Sequence, residues 1–256
     1  MFRPRVIPVL QLMNKGLVKT VHFKNPKYVG DPINAVKIFN DLEADELVFV
    51  DITASREGRL IDLDFVERVG DQANMPFAVG GGIKDLRQIQ SVLRAGAEKV
   101  IVNSAAMMTP GFVKAASDEF GSSTIVVSLD VKKGWSRKNT VWGMSGTRNS
   151  KKSPPDSALE MQEEGAGEII INSINRDGTM LGYDHDLVRS VCKVSTVPVI
   201  ALGGCRSIED ASKVCSFKWG GANAAGAGSL FVYHGPRKAV LVNYPDQSQL
   251  SSIFND

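Results

Sequence analysis

The segments EADELVFVDITAS (43–55) and GAGEIIINSINRD (165–177) decide the fold, because they align at an offset of 122 residues, 165 minus 43. At the same offset, MPFAVGGGI (75–83) aligns with VPVIALGGC (197–205). One constant offset over two separate blocks indicates an internal duplication. We therefore predict two similar halves, at about residues 1–120 and 121–245.

Each half contains four short β-branched runs, several of them almost continuously apolar, as is typical of parallel strands covered by helices. Helix-like patterns lie between them, and Asp31-Pro32 has the form of an N-cap followed by proline at the first helical position. Eight alternating units in 256 residues favour one α/β domain, a single (β/α)8 TIM barrel spanning residues 1–256, over a doubly wound sheet or two domains. The predicted strands are 6–10, 46–51, 76–80, 99–103, 125–130, 168–173, 199–202 and 224–227, and helices include 31–42, 84–95, 109–120 and 207–215.

The composition excludes several classes of function. A formal net charge of +2 predicts no general affinity for nucleic acid or for an anionic membrane. The three cysteines and three histidines lack metal-ligand spacing, so we predict no metal and no cofactor. The N-terminus runs directly into a predicted strand, and no apolar run approaches the ~18 residues of a membrane helix. We expect a cytoplasmic protein with reduced thiols.

Glycine-rich turns follow strands three and four, and again strands seven and eight. In such a barrel the chemistry lies at the carboxyl ends of the strands, where glycines admit a ligand and short helices direct N–H groups at an anion. Glycines that merely turn corners are the alternative. Two duplicated anion pockets across one mouth fit an elongated ligand with a phosphate at each end. These turns are 80–82, 103–104, 203–204 and 226–229, and 177–179 is placed to close over the second pocket.

The duplication also pairs the ends of strands one and five, which are Gln11 and Asp130. Asp130 can act as a general acid or base, whereas the amide of Gln11 cannot exchange a proton near pH 7. Asp51 ends strand two, and Lys19 lies on a long loop after strand one. Both can reach the mouth. The alternative for Asp51 is a loop anchor, and the alternative for Lys19 is a solvated surface residue.

The chain resembles the HisF family, the cyclase subunits of imidazole glycerol phosphate synthase, over nearly its whole length. The resembling segments are RVIPVL (5–10), GDPINA (30–35), ADELVFVDITAS (44–55), VGGGI (79–83), RAGAEKVIVNSAA (94–106), GSSTIVVSLD (121–130), GAGEIIINSINRDGT (165–179) and VPVIALGG (197–204).

The resemblance implies a glutaminase partner, HisH-like, in a heterodimer at the amino-terminal face of the barrel. Ammonia from that partner would cross the barrel interior and react at the mouth with a ribonucleotide that carries two phosphates. By similarity, Gly82, Asn103 and Ser104 would bind one phosphate, and Lys19 and Asp51 would contact substrate. The second phosphate would be bound by Asp177, Gly178, Gly204, Gly228 and Ser229.

A channel gate is also implied by the resemblance. The gate would consist of two cationic and two anionic side chains, whose charges sum to zero. The alternative to a gate is therefore a ring of salt bridges with a purely structural role. The gate residues would be Arg5, Glu46, Lys99 and Glu168, at the starts of strands one, two, four and six.

The sequence departs from the family at the centre of the mouth. Gln11 replaces an aspartate of the family's catalytic pair, Asn172 stands where threonine is usual, and Leu202 where serine is common. The segment 131–155 also differs. It contains seven lysines and arginines, Trp135 and Trp142, and no acid. A solvated basic loop and a docking loop for an anionic partner are its two interpretations.

In these departures the chain resembles HisF-like paralogues of surface-polysaccharide gene clusters. The segments shared with them are LVKTVHFKNPKYVGDPINA (17–35), SGTR (145–148) and AAGAGSLFVYHG (224–235). That resemblance implies delivery of ammonia to a sugar amidotransferase. The alternatives are a working cyclase that uses Asp130, alone or with Asp51, and a non-catalytic scaffold. Gln11 argues equally against the related sugar-phosphate isomerase barrel, which also uses two aspartates.

Overall fold

A computed structural model describes residues 3–134 and 138–254. Eight parallel strands hydrogen-bond side by side, and the last pairing, between the strands at 125–133 and 168–173, closes the sheet on itself. This closed barrel confirms the predicted fold. The division into two halves near residue 120 stays a prediction.

All eight predicted barrel strands are present, and their bounds differ from the prediction by a few residues at most. The strands are β1 (Arg5–Met13), β2 (Gly16–Val21), β3 (Lys24–Gly30), β4 (Leu47–Asp51), β5 (Phe77–Gly80), β6 (Lys99–Val102), β7 (Ile125–Lys133), β8 (Asn139–Gly143), β9 (Arg148–Asn149), β10 (Glu168–Ser173), β11 (Val199–Leu202), β12 (Ala224–Ala227), β13 (Tyr233–His234) and β14 (Ala239–Val240). The barrel itself consists of β1, β4, β5, β6, β7, β10, β11 and β12.

Helices surround the barrel, and several begin at the caps expected from the sequence. Asp31 accepts a hydrogen bond from the Asn34 N–H, and Pro32 opens the first helix. The α-helices are α1 (Pro32–Asp41), α2 (Ala54–Glu57), α3 (Leu63–Gly70), α4 (Leu86–Arg94), α5 (Ser104–Met108), α6 (Phe112–Phe120), α7 (Pro154–Glu163), α8 (His185–Cys192), α9 (Ile208–Cys215), α10 (Ser229–Val232) and α11 (Gln247–Phe254).

Alternation along each strand divides the core into two apolar layers. Side chains that point outward, such as Val6 and Leu47, pack under the helices in the larger layer. Those that point inward fill the lumen, because successive residues of a strand face opposite sides. The buried lumen layer consists of Ile7, Val9, Val48, Ala78, Ile101, Val126, Ile170, Ile200 and Ala224.

Two segments predicted as loops contain β-hairpins. Lys19 lies on β2, which pairs antiparallel with β1 and β3, so it is not on an extended loop. In the basic segment, β7 continues to Lys133 and pairs antiparallel with β8. Trp135 and Arg137 of that segment lie outside the described residues.

Within the described part of the chain, no helix has the length and apolar character needed to cross a membrane.

Candidate active site at the barrel mouth

A pocket opens at the carboxyl ends of the barrel strands, where the inward-facing side chains change from aliphatic to polar. Ile170 faces the lumen, and Asn172, two residues later on the same strand, lines the pocket. The β2–β3 turn also reaches it through Phe23, and the turn between the antiparallel strands β8 and β9 reaches it through Ser145. Ser145 donates a hydrogen bond to the Ile52 carbonyl across the mouth at 3.2 Å. The pocket therefore lies between the end of the lumen and the hairpins.

Asp130 lies at the floor of this pocket with 9% of its surface exposed. The amide Nδ2 of Asn172 donates to Asp130 Oδ1 at 3.1 Å, because β7 and β10 pair with these two residues in register. Burial raises the pKa of Asp130 to about 7, and the nearby charge of Asp177 adds to the rise. A carboxyl group with this pKa can exchange protons near neutral pH.

Gln11 faces the same pocket, and its oxygen is occupied by the first hairpin. Both the backbone N–H and the hydroxyl of Thr20 lie 3.0 Å from Gln11 Oε1. The same hydroxyl is 3.0 Å from Asp177 Oδ2, while Lys19 Nζ is 3.0 Å from Asp177 Oδ1. Lys19 and Asp177 are both buried. This network fastens β2 to the loop that follows β10.

Asp51 lines the pocket and also has internal partners. Its carboxylate accepts hydrogen bonds from the N–H groups of Thr53 and Ala54, which anchors the turn into α2. Arg59 contacts Asp51 Oδ2 at 2.6 Å and extends to the Thr53 hydroxyl. The arrangement matches the loop-anchor alternative. Its role toward substrate stays a prediction.

The predicted phosphate-binding residues lie at two separate edges of the pocket. Ser104 begins the short helix α5 after β6, and Ser229 begins α10 after β12. The hydroxyl oxygen of Ser229 is buried and has no hydrogen-bond partner in the protein, so it is free to bond to a ligand in the pocket. The other predicted phosphate ligands that line the pocket are Gly82, Asn103, Asp177, Gly178, Gly204 and Gly228.

The close approach of two segments explains Gly178. It has φ of +73°, and a Cβ there would lie 2.1 Å from the carbonyl oxygen of Thr20. The N–H of His22 also donates to the Asp177 carbonyl at 3.0 Å. Only glycine lets the hairpin approach the β10 loop so closely.

The four predicted gate residues meet at the opposite end of the lumen. Arg5 donates to both Glu46 and Glu168. Lys99 Nζ lies 3.3 Å from Glu46 and 3.1 Å from Glu168, so each carboxylate has two cationic partners. The glutamates are almost fully buried and the cations are about one quarter exposed. The structure thus brings these residues into one closed charged ring, while a gating role stays a prediction.

The sequence interpretation missed several residues of the site. Thr20 was not singled out, although it contacts both Gln11 and Asp177. Arg59 was also missed; its position eight residues after Asp51 carries no local signal, because a loop brings the two together.

Among residues 3–134 and 138–254, no group of three or more His, Cys, Asp or Glu side chains is arranged to hold a metal ion.

Fold and site together define a (β/α)8 barrel with a polar mouth, an aliphatic lumen and a charged floor. A family model described as histidine biosynthesis protein matches residues 5–236. The "Putative imidazole glycerol phosphate synthase subunit hisF2" of Pseudomonas aeruginosa is 46% identical over 250 residues, which cover 98% of this chain and 99% of that protein.

Two further relatives agree with this match. The "Putative imidazole glycerol phosphate synthase subunit HisF" of Leptospira interrogans is 43% identical over 255 residues, covering 99% of this chain and 100% of that protein. The "Imidazole glycerol phosphate synthase subunit HisF" of Natranaerobius thermophilus is 41% identical over 244 residues, covering 95% and 96%. The chain belongs to the HisF family.

Proposed function

We propose that this chain is the barrel subunit of a glutamine-dependent amidotransferase complex. It receives ammonia from a HisH-like glutaminase at the amino-terminal face and delivers it at the mouth. The relatives' names describe them as subunits of imidazole glycerol phosphate synthase, which supports a role within a complex. The observation that carries the proposal is the aliphatic lumen joining the charged ring to the polar pocket.

The ring supports a gate for a small neutral molecule. Its two cations and two carboxylates satisfy one another, so it places no net charge at the entrance. Above it the buried lumen layer from Ile7 to Ile200 is aliphatic, and the first polar side chain on the inward face of β7 is Ser128, which pairs in register with Ile170 below the mouth. Ammonia that enters at the floor would therefore cross this aliphatic layer before it meets Ser128 and the polar mouth.

Features at the mouth support a phosphorylated small-molecule ligand. Two short helices begin at its edges with Ser104 and Ser229, and short helix N-termini favour anions. Lys19 and Asp177 neutralise each other, as do Arg59 and Asp51. Since these carboxylates are paired with cations, Asp130 is the described carboxyl group of the pocket that is best suited to proton exchange.

Gln11 argues against ring formation in this barrel, and the resemblance to the paralogues of surface-polysaccharide gene clusters suggests the acceptor. With an amide in place of a second carboxylate, the mouth has lost half of a two-carboxylate acid–base pair, a change that typically costs 10²–10⁴-fold in rate. We infer that the ammonia passes to a sugar amidotransferase in polysaccharide biosynthesis, and that ring formation does not take place in this barrel.

Stimulation of the cognate glutaminase tests the proposal. The purified barrel should increase the rate of glutamine hydrolysis at least tenfold, measured as glutamate released. Lys99→Met, which unbalances the ring, should reduce the stimulation, whereas Lys114→Met, at an exposed ion pair on α6, should not. A stable complex without stimulation would favour the scaffold alternative. No complex with the glutaminase or the amidotransferase would contradict both.

A working cyclase is the second candidate, and the pKa of about 7 at Asp130 favours it. The test supplies the bisphosphorylated ribonucleotide and ammonium salt at alkaline pH to the wild type and to Gln11→Asp. We expect imidazole product from the variant only, at a rate at least 10²-fold above that of the wild type, because the second carboxylate is restored. Product from the wild type at a comparable rate would establish the cyclase instead.

A further inference from the structure

Asn172 lines the pocket, is buried and makes an incomplete set of hydrogen bonds. Its Nδ2 donates to Asp130 Oδ1 at 3.1 Å. Its Oδ1 is buried and has no hydrogen-bond partner. Only 7% of Asn172 and 9% of Asp130 is exposed, so bulk water does not compensate the unpaired oxygen. Buried polar groups are normally paired, and this exception requires an explanation.

The shape of the amide lets this oxygen take the place of the NH2 group beside Asp130. The oxygen and NH2 groups of asparagine are nearly equal in size, and a half-turn about the last side-chain bond exchanges them without disturbing the packing. An ionised Asp130 needs a donor beside Oδ1, which is the orientation observed. A protonated Asp130 carries an O–H group and needs an acceptor, which Asn172 Oδ1 would supply after the half-turn.

We propose that Asn172 is a positioning residue that turns over with the proton of Asp130, so that the same pair is hydrogen-bonded in both states. Asp130 gains a proton in one state and loses it in the other, while Asn172 neither gains nor loses one. The inference rests on the proposed function only in that Asp130 is the proton-exchanging group of the mouth.

The need for such a partner follows from Gln11. In a mouth with two carboxylates, one can act as the acid while the other acts as the base. Here the second carboxylate is missing, so Asp130 needs a hydrogen-bond partner in both its ionised and its protonated state. The charged groups that line the pocket around it are Lys19 on β2, Asp51 after β4, Arg56 on α2 and Asp177 after β10. Lys19 is paired with Asp177, and Asp51 with Arg59. Asn172 is in direct hydrogen-bond contact with Asp130 Oδ1, and the side chain of Ser128 also interacts with this carboxyl group and lowers its pKa.

Neutron crystallography of the wild-type barrel tests the inference directly, because deuterated nitrogen and oxygen scatter differently. At a pD of about 9 we expect the ND2 group of Asn172 to face an ionised Asp130. At a pD of about 5 we expect Oδ1 to face a deuterated carboxyl group. The same amide orientation in both crystals, with Asp130 protonated in one of them, would overturn the inference. An Asp130 that is ionised in both would also overturn it.

Carbon-13 NMR titration of the Asp130 carboxyl group provides the second test. Asn172→Leu should raise the titration midpoint by about one unit, because an ionised carboxylate loses more from the missing donor than the neutral acid loses from the missing acceptor. Asn172→Thr, whose hydroxyl both donates and accepts, should keep the midpoint close to the wild-type value. An unchanged midpoint in the leucine variant would show a merely structural role. Glutaminase stimulation is measured separately, so the proposed function can stand when this inference fails.

Discussion

At the scale of single residues, the buried carboxyl group of Asp130 makes stability depend on pH. Its pKa is raised from 3.8 to about 7 in the folded state, mainly because burial disfavours the charged form. Below pH ~4 the carboxyl is protonated in both states and this cost is absent. As the pH rises toward 7, the unfolded chain ionises first, so the free energy of unfolding falls.

Asp130→Asn should therefore stabilise the barrel at alkaline pH. The asparagine oxygen keeps the hydrogen bond from Asn172 Nδ2 and never ionises. We expect a gain of up to about 4 kcal/mol at pH ~8, which shrinks toward zero near pH ~4. Denaturant unfolding at both pH values measures it, with the exposed Asp41→Asn on α1 as control. An equal effect of Asp130→Asn at both pH values would contradict the prediction.

At the scale of elements, the β2–β3 hairpin is held against the barrel by a buried ion pair. Lys19→Met would leave Asp177 without its cation and retain most of the apolar bulk. Breaking a buried pair in this way costs about 3–5 kcal/mol. We expect amide hydrogen exchange in residues 16–30 to accelerate at least tenfold, while the barrel strands β6 and β7 remain protected. Lys27→Met, at an exposed position of the same hairpin, is the matched control and should leave the exchange unchanged.

The barrel strands were predictable from the sequence and the hairpins were not. Runs such as IVVSLD and EIIINS are apolar enough to identify strands buried on both faces, and the 122-residue offset gave their order. The hairpin residues VKTVHFKNPKYVG mix charge and β-branching, and six of the seven residues of β3 are not buried. The hairpin is held by Gln11 on the preceding strand and by Asp177, which lies 158 positions from Lys19 in the chain. The sequence likewise placed Asp130 and Asn172 at the mouth, but not the hydrogen bond that joins them.

At the scale of the whole molecule, the charged ring joins four strands around the floor of the barrel. Lys99→Met should destabilise the fold by about 3 kcal/mol, because Glu46 and Glu168 then share the single cation Arg5. Adding Glu168→Gln returns the ring to zero net charge and should recover at least about 1 kcal/mol. Denaturant unfolding of the single and double variants measures the coupling. A double variant less stable than Lys99→Met alone would contradict the prediction. The control Lys114→Met, at an exposed ion pair, should lower the free energy of unfolding by less than about 1 kcal/mol.

The aliphatic lining of the lumen also has a consequence for the chemical state of what crosses it. A cation would have to exchange its hydration shell for contact with side chains such as Ile7, Val126 and Ile200, at a cost of many kcal/mol. The uncharged base does not meet that penalty. Under the proposed function, nitrogen crosses the barrel as neutral ammonia and arrives above Ile170 with its lone pair free. For the ammonia transport proposed above, the lumen would thus select the nucleophilic form by solvation alone, without a binding site.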